Sequence, residues 1–186
     1  FKGMNPRDVV SYIEGTPYIS TVPVEPGLTN AIYESAGERV VGFNSENQER
    51  NEGLIRFDIV FYVRMKDGLS QIIINVEAQQ SSDVSYPMIK RALYYGSRLI
   101  SSQNGVEFDH SHYEKIRKVY SIWLCMDTPQ GKSGITRYVT QEITEYGSIR
   151  EARLHYDLQQ IVMVYIGNDR RHIRYRLLRM LYDLFK

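Results

Sequence analysis

Alternation of apolar and polar residues is strongest in two neighbouring segments, residues 54–65 and 70–79, which are also rich in β-branched and aromatic side chains. A period of two is typical of β-strands. Asp67 and Gly68 stand between the two segments, and an Asp-Gly pair between alternating runs is a strong signal for a two-residue hairpin turn. The pattern therefore predicts two antiparallel strands joined by a tight turn.

The predicted hairpin brings two carboxylates together. If Asp67 and Gly68 form the loop, the antiparallel register places Asp58 directly opposite Glu77. Side chains in such a pair leave the sheet on the same face, with Cβ atoms roughly 4.5–5.5 Å apart. Like charges at that separation destabilise a sheet unless a shared proton or a bound cation offsets the repulsion. Asp58 and Glu77 therefore form a candidate site for Mg²⁺ or Mn²⁺, because hard divalent cations prefer oxygen ligands.

Side-chain alternation divides the other residues of the predicted hairpin between two faces. One face is apolar, with Phe57 and Ile59 among its residues, and we expect it to pack on the core. The opposite face collects a cation, two carboxylates and two amides, namely Arg56, Asp58, Asn75, Glu77 and Gln79. The alternative interpretation is a solvated polar face on which the arginine screens both acids, and a single β-bulge would change the register.

The rest of the pattern predicts one α/β domain over residues 1–186, built on a central sheet and without an internal repeat or a domain linker. Residues 18–30 are interrupted by prolines and a glycine, which predicts an extended loop. Helical patterns cover 5–13, 31–36, 87–103 and a C-terminal segment capped by Asn168 or Asp169, and further strand patterns cover 38–44, 115–126, 135–143 and 158–166.

Two of the predicted helices are amphipathic, so each is expected to cover the sheet with its apolar side. In the helix over 87–103, the apolar side comprises Met88, Leu93 or Ala92, Leu99 and Ile100, and the polar side comprises Lys90, Arg91 and Arg98. In the C-terminal helix, the apolar side comprises Ile173, Leu177, Met180, Leu181 and Leu184.

Composition and charge limit the binding partners and the cellular compartment that we expect for this domain. The formal net charge is only +1, so contact with nucleic acid would depend on a local basic patch. Cys125 is the one cysteine, and within its apolar run it is expected to act as a small buried hydrophobe in a reducing, cytoplasmic compartment. No apolar run is long enough for a membrane span. The chain begins at Phe1 and ends directly after a helical pattern, so we expect a truncated piece of a longer protein.

A family resemblance rests on the sequence around the two carboxylates. Arg-Phe-Asp58-Ile-Val-Phe followed by Ile-Asn-Val-Glu77-Ala-Gln79 resembles the PD-(D/E)XK nuclease superfamily. More narrowly, it is similar to the PD-(D/E)XK nuclease family transposases, the recombination-promoting nuclease-like group. Residues 90–95 and 116–125 are similar to that group as well, so the resemblance covers about residues 40–166.

The resemblance implies a restriction-endonuclease-like αβββαβ core, with a central mixed sheet flanked by helices. The implied activity is metal-dependent hydrolysis of DNA phosphodiester bonds, in a mobile-element or recombination context. Asp58 and Glu77 would be catalytic ligands of Mg²⁺ or Mn²⁺, and Gln79 would be catalytic at the position where the superfamily usually has lysine. The helix over 87–103 would pack on the sheet and offer Arg91 toward DNA. A homodimer would suit cleavage of both strands.

One departure from the family pattern changes the expected chemistry. Glutamine at position 79 cannot supply the positive charge that a lysine would bring to the developing oxyanion. Arg56, opposite Gln79 in the predicted register, is the hypothetical replacement and a substrate-binding candidate. The departure also keeps open a catalytically inactive nuclease fold that serves as a DNA-binding or protein-interaction module. Glu34, and with less support from its position Glu46, is a candidate for a further acid from a helix before the strands.

Overall fold

A computed structural model of the protein describes residues 13–23, 54–64, 71–79, 86–126 and 128–185, and within the first three strands it describes the side chains of Val60, Tyr62 and Val63 alone. The strands are β1 Ile13–Pro23, β2 Leu54–Arg64, β3 Gln71–Gln79, β4 Lys118–Cys125, β5 Gly134–Val139 and β6 Gln159–Tyr165. The helices are α1 Met88–Ser101, α2 Arg153–Tyr156 and α3 Arg176–Phe185, with 3₁₀ turns at Tyr113–Lys115, Pro129–Gly131 and Arg170–His172.

The strands form a six-stranded mixed sheet in the order β1-β2-β3-β4-β6-β5. The first three strands are an antiparallel meander, since β1 pairs with β2 and β2 with β3. The sheet then becomes parallel through β4 and β6, and β5 closes the far edge antiparallel to β6. Helix α1 lies in the chain between β3 and β4, where a parallel pair requires a long connection. The mixed α/β architecture predicted from the sequence is confirmed.

The register of the hairpin is also confirmed. The β2–β3 pairs run from Arg64 opposite Gln71 to Ile59 opposite Val76. This is the register that a two-residue loop at positions 67–68 requires, although the loop itself lies outside the described residues. Local alternation and turn chemistry were sufficient to find it, because a slip of one residue would move every side chain to the other face.

Strand β1 corrects the prediction for the N-terminal part of the chain. Residues 18–30 were expected to be an extended loop, whereas Ile13–Pro23 pairs with β2 along one edge of the sheet. Proline is tolerated on an edge strand and at bulges, and Pro17 lies where the β1–β2 register shifts between Glu14 and Tyr18. The prolines therefore mark an irregular edge strand. The patterns at 31–36 and 38–44, and most of that at 5–13, lie outside the described residues.

Helix α1 covers one face of the sheet and forms the main core with it. Its contact stripe uses Ala92 and leaves Leu93 exposed, because positions spaced by four and three residues keep the stripe on one side of a helix. Arg91 lies on the same contact side, so its assignment to the polar side was wrong. The buried residues of this core are Val60, Tyr62, Ala92, Tyr95, Leu99, Val119, Trp123, Cys125, Ile161 and Met163.

Helix α3 covers the opposite face, but by a different stripe from the predicted one. Ile173 and Leu178 are buried against Val164. Asp169 caps a short 3₁₀ turn by accepting a hydrogen bond from the Arg171 backbone N–H at 2.9 Å. The α-helix begins only at Arg176, and its buried side is rotated relative to the predicted apolar side. The residues that pack on this second core are Ile122, Leu124, Val162, Leu181 and Tyr182, and the exposed residues of the predicted face are Leu177, Met180 and Leu184.

Candidate active site

Asp58 and Glu77 occupy adjoining positions at the open end of the β2–β3 pair. Ile59 is paired with Val76, and Asp58 and Glu77 are the next residues of the two strands. The described β2–β3 pairs end there, and the same register continued by one step would set positions 58 and 77 opposite each other. The side chains of both, and those of Arg56, Asn75 and Gln79, lie outside the described residues, so their roles remain predictions.

The described side chains of β2 are those of Val60, Tyr62 and Val63. Strand alternation places position 58 in the same row as Val60 and Tyr62, and both of these side chains are buried in the core under α1. Val63, in the other row of β2, is fully buried as well, so the described side chains of this strand are buried on both of its faces.

The same row continues onto β4, where every side chain is buried. Asn75 pairs with Ser121, Glu77 with Trp123, and Gln79 with Cys125, in a parallel register. Neighbouring strands lie about 4.8 Å apart, and Ser121 and Trp123 have no exposed surface. Trp123 is therefore the backbone neighbour of Glu77, on the side of the hairpin away from Asp58.

Arg91 of helix α1 contacts the Trp123 side chain of this row. Its guanidinium carbon lies 5.5 Å from the centre of the Trp123 ring and 4.9 Å from that of Tyr95. An Arg91 Nη atom donates a hydrogen bond to the Tyr95 hydroxyl at 3.0 Å. The side chain is half-buried in the first turn of α1 and turns toward the sheet. The prediction that this helix packs on the sheet is confirmed.

Contacts with neighbouring side chains fix the two aromatic rings next to Arg91, those of Tyr95 and Trp123. The Tyr95 and Trp123 rings lie 5.6 Å apart and are tilted by 60°, an edge-to-face arrangement that adds to the packing energy of the pair. The Trp123 indole N–H donates to Ser121 Oγ at 2.9 Å, inside the core. The arginine therefore rests on a surface whose side chains have fixed orientations.

Cys125 is the last residue of β4 and belongs to the same buried row as Ser121 and Trp123. Its thiol is buried, and desolvation raises the pKa of the thiol to about 11. Because the thiolate is the reactive species, this cysteine is unsuited to nucleophilic chemistry at neutral pH. Its interpretation as a small buried hydrophobe is confirmed.

Sequence reasoning missed an acid at the opposite end of the parallel strands. The Asp157 side chain is 2% exposed, and its Oδ2 accepts hydrogen bonds from Lys118 Nζ at 2.7 Å, Arg153 Nε at 3.0 Å and Gln160 Nε2 at 2.7 Å. Burial alone would raise the pKa of Asp157, but the hydrogen bonds from Lys118 and Gln160 and the charge of Lys118 lower it below its ordinary value. No local signal links Lys118 to Asp157, because the sheet alone brings them together.

The donors at the candidate site suit a hard divalent cation. Asp58 and Glu77 would supply carboxylate oxygens from adjoining strands, and the backbone carbonyl of Ala78 would be an additional ligand. Among the side chains that the structure describes, no group of three His, Cys, Asp or Glu residues could hold a metal ion. The candidate site therefore depends on the hairpin positions alone.

None of the helices within residues 86–126 and 128–185 has the length and apolar character needed to cross a bilayer.

Comparison with known proteins does not assign the chain to a family. No protein-family model, no curated protein and no solved structure matches the chain.

Proposed function

We propose that the protein is a metal-dependent DNA endonuclease that hydrolyses phosphodiester bonds. The observation that supports the proposal is the β2–β3 register, whose last described pair is Ile59 with Val76 and which, continued by one residue, would set Asp58 opposite Glu77. Two carboxylates that face each other on adjoining strands repel each other unless a positive charge offsets the repulsion. A divalent cation would offset it and would also let the site activate a water molecule.

The chain topology supports the nuclease fold. An antiparallel meander of β1, β2 and β3 is followed by α1 and by β4 parallel to β3, which is the βββαβ order of a restriction-endonuclease-like core. The helix that would precede these strands, with Glu34 or Glu46 as its acid, falls outside the described residues. The mobile-element context rests on the sequence resemblance alone.

The reaction would be a displacement at phosphorus. A bound Mg²⁺ or Mn²⁺ would supply an activated water and neutralise charge on the phosphate. The water oxygen bonds to phosphorus, the bond to the leaving sugar oxygen breaks, and one water proton ends on that oxygen, which leaves a phosphomonoester and a hydroxyl. Asp58 and Glu77 would hold the cation, and Gln79 would orient the water or a phosphate oxygen through its amide.

A plasmid-nicking assay tests the proposal. Supercoiled DNA is incubated with the protein in Mg²⁺ or Mn²⁺, with an EDTA control, and the parent is compared with Asp58→Asn and Glu77→Gln. Glu145→Gln is the matched control, because Glu145 is an exposed acid in the segment between β5 and α2. Nicking that needs the metal, is lost in both site variants and persists in the control supports the proposal. Absence of nicking by a folded parent contradicts it.

The alternative is a catalytically inactive nuclease fold that binds DNA or a protein. Gln79 favours it, because this residue cannot supply the charge of the usual lysine. Binding of duplex DNA without cleavage in either metal would support this module. Cleavage at any rate that depends on Glu77 would exclude it.

A further inference from the structure

The exposed side of helix α3 carries a stripe of large apolar side chains. Leu177, Met180 and Leu184 are 43%, 57% and 69% exposed. Because they are spaced by three and four residues, they lie one above the other on one side of the helix. Leu178 lies on the other side and is buried against the sheet. Helix α3 is therefore apolar on its buried side and also along an exposed flank, which is typical of a helix that packs on a second element.

Two exposed residues of opposite charge lie beside this stripe. Arg176 and Asp183 are each one turn from Met180, and both are exposed. Their spacing of seven residues places them on the same side of the helix, about 10.5 Å apart along its axis. The flank is thus positive near the start of α3 and negative near its end. Such a surface matches a copy of itself that runs in the opposite direction.

The Asp183 carboxylate is held by its own chain and keeps room for another donor. Arg170 Nη2 donates to Asp183 Oδ2 at 2.8 Å, and Arg170 Nε donates to the other carboxylate oxygen. A carboxylate has lone pairs for about four hydrogen bonds, so Asp183 can accept a further one. Arg176 forms no ion pair with any residue of 86–126 or 128–185. Each copy therefore offers a cation and an oriented carboxylate on the same flank.

We infer that α3 is the contact surface of a homodimer in which the α3 helices of two copies pack antiparallel about a two-fold axis. An axis of this kind makes the contact isologous, so the same residues serve on both copies. Leu177 of each copy lies against Leu184 of the other, and the two Met180 side chains meet at the axis. Arg176 of each copy reaches Asp183 of the other, which gives two equivalent ion pairs. Removal of the apolar stripes from water drives the association.

The apolar stripe favours a second copy over nucleic acid as the occupant of this surface. The residues before α3 are basic, but Arg170 and Arg171 are already paired with Asp183 and Asp169. Binding to nucleic acid depends mainly on cations that contact phosphate groups, and aliphatic side chains contribute little to it. The same aliphatic side chains would exclude water from a contact between two proteins.

The small size of the contact sets the expected affinity. Helix α3 has 10 residues, so a pair of these helices buries less surface than a standard protein interface, and we expect a Kd of roughly 1–100 μM. Analytical ultracentrifugation of the parent across this range of concentration, without DNA or metal, measures the association. A folded parent that stays monomeric throughout would overturn the inference.

Two substitutions test whether the dimer uses α3. Met180→Glu places two carboxylates together at the axis and should abolish association, while the melting temperature of the monomer changes little because Met180 is exposed. Arg176→Asp sets like charges opposite each other in both ion pairs and should raise Kd about tenfold. The matched control is Arg179→Asp, which makes the same charge change on the same helix at a position turned further from the stripe. Equal effects of Arg176→Asp and Arg179→Asp would overturn the ion pairs.

A disulfide between two copies reports the antiparallel register. Met180→Cys brings two thiols together at the axis, and oxidised glutathione supplies the oxidant. The native Cys125 thiol is buried and has a pKa raised to about 11, so it should contribute little background. We expect Met180→Cys to form a covalent dimer at protein concentrations near Kd. Ile149→Cys, at a position that is 91% exposed between β5 and α2, is the control, and equally fast cross-linking of both variants would overturn the register.

The remaining outcomes concern other occupants of the stripe. A dimer that persists in Met180→Glu would show that the two copies meet at another surface. A monomeric parent that binds duplex DNA, and loses this binding in Arg176→Asp, would identify nucleic acid as the occupant in place of a second copy. Because association is measured without DNA or metal, failure of this inference leaves the proposed function untouched, and absence of DNA cleavage leaves the dimer untouched.

Discussion

Gly96 of α1 lies directly against Gln159 at the start of β6, and this contact sets how closely the helix approaches the sheet. A Cβ atom at position 96 would lie 2.9 Å from the Gln159 Cδ atom, closer than atoms normally pack. Gln159 Nε2 donates to the Leu93 carbonyl at 3.0 Å, and Ser97 Oγ donates to Gln159 Oε1 at 3.2 Å. The same helix holds Arg91 beside the Trp123 ring.

Substitution of Gly96 should therefore destabilise the protein. We expect Gly96→Val to lower the free energy of unfolding by about 2 kcal/mol, as overpacking usually does, because the new side chain displaces Gln159. Gly96→Ala in a Gln159→Ala background should instead stabilise the protein by about 0.5–1 kcal/mol, since the clash is gone and alanine favours the helix. Urea unfolding of the variants measures both effects. Equal effects of Gly96→Ala with and without Gln159 would contradict this account.

Gln103 joins the end of α1 to the start of β4 through its side-chain amide. The Arg117 backbone N–H donates to Gln103 Oε1 at 2.6 Å, and Gln103 Nε2 donates to the Arg117 carbonyl at 2.9 Å. Because the glutamine is fully buried, Gln103→Ala leaves two backbone groups unpaired and should lower the free energy of unfolding by about 2–3 kcal/mol. Gln141→Ala, at an exposed glutamine, is the control in the same denaturant series and should change it by less than about 0.5 kcal/mol.

Cys125 provides a chemical test of the core beneath the site. Burial raises the pKa of its thiol to about 11, so at neutral pH the native protein should react with a thiol reagent far more slowly than the unfolded chain does. One thiol per chain should become reactive in denaturant, since Cys125 is the single cysteine. Rapid modification of the native protein under the same conditions would show that the end of β4 is open.

The parts of the fold that could be predicted are those with local signals. Asp67 and Gly68, with alternation on either side, predicted a register that the β2–β3 pairs confirm. The prolines within Ile13–Pro23 led to the prediction of a loop in place of β1. A sequence cannot distinguish an irregular edge strand from a loop when the pairing partner of the strand is unknown. The contact of Arg91 with Trp123 depends on the packing angle of α1, for which the sequence contains no local signal.

Asp157 should make the stability of the protein depend on pH in acid. Its pKa in the folded state is lowered, so its contribution is complete above the unfolded value of about 3.9 and is lost as pH falls through the folded value. Asp157→Asn should lower the free energy of unfolding at neutral pH by about 3 kcal/mol, because it removes the anion from Lys118 and Arg153. Denaturant titrations from neutral to acid pH should show the parent and variant converging below about pH 4; a constant difference would exclude Asp157 as the cause.

The two hairpin acids should couple stability to divalent cations. Without metal, Asp58→Asn should raise the melting temperature, because it removes a repulsion between facing positions of β2 and β3. With Mg²⁺ at about a hundredfold above its Kd, the parent should gain about 2.7 kcal/mol, and Asp58→Asn should gain nothing. Glu145→Gln is again the control and should follow the parent in both conditions. Thermal melts with EDTA, Mg²⁺ and Mn²⁺ measure these shifts. Stabilisation by Asp58→Asn with no cation effect on the parent would identify the acids as a metal-free structural feature, whereas equal Mg²⁺ responses of parent and Asp58→Asn would place the cation elsewhere.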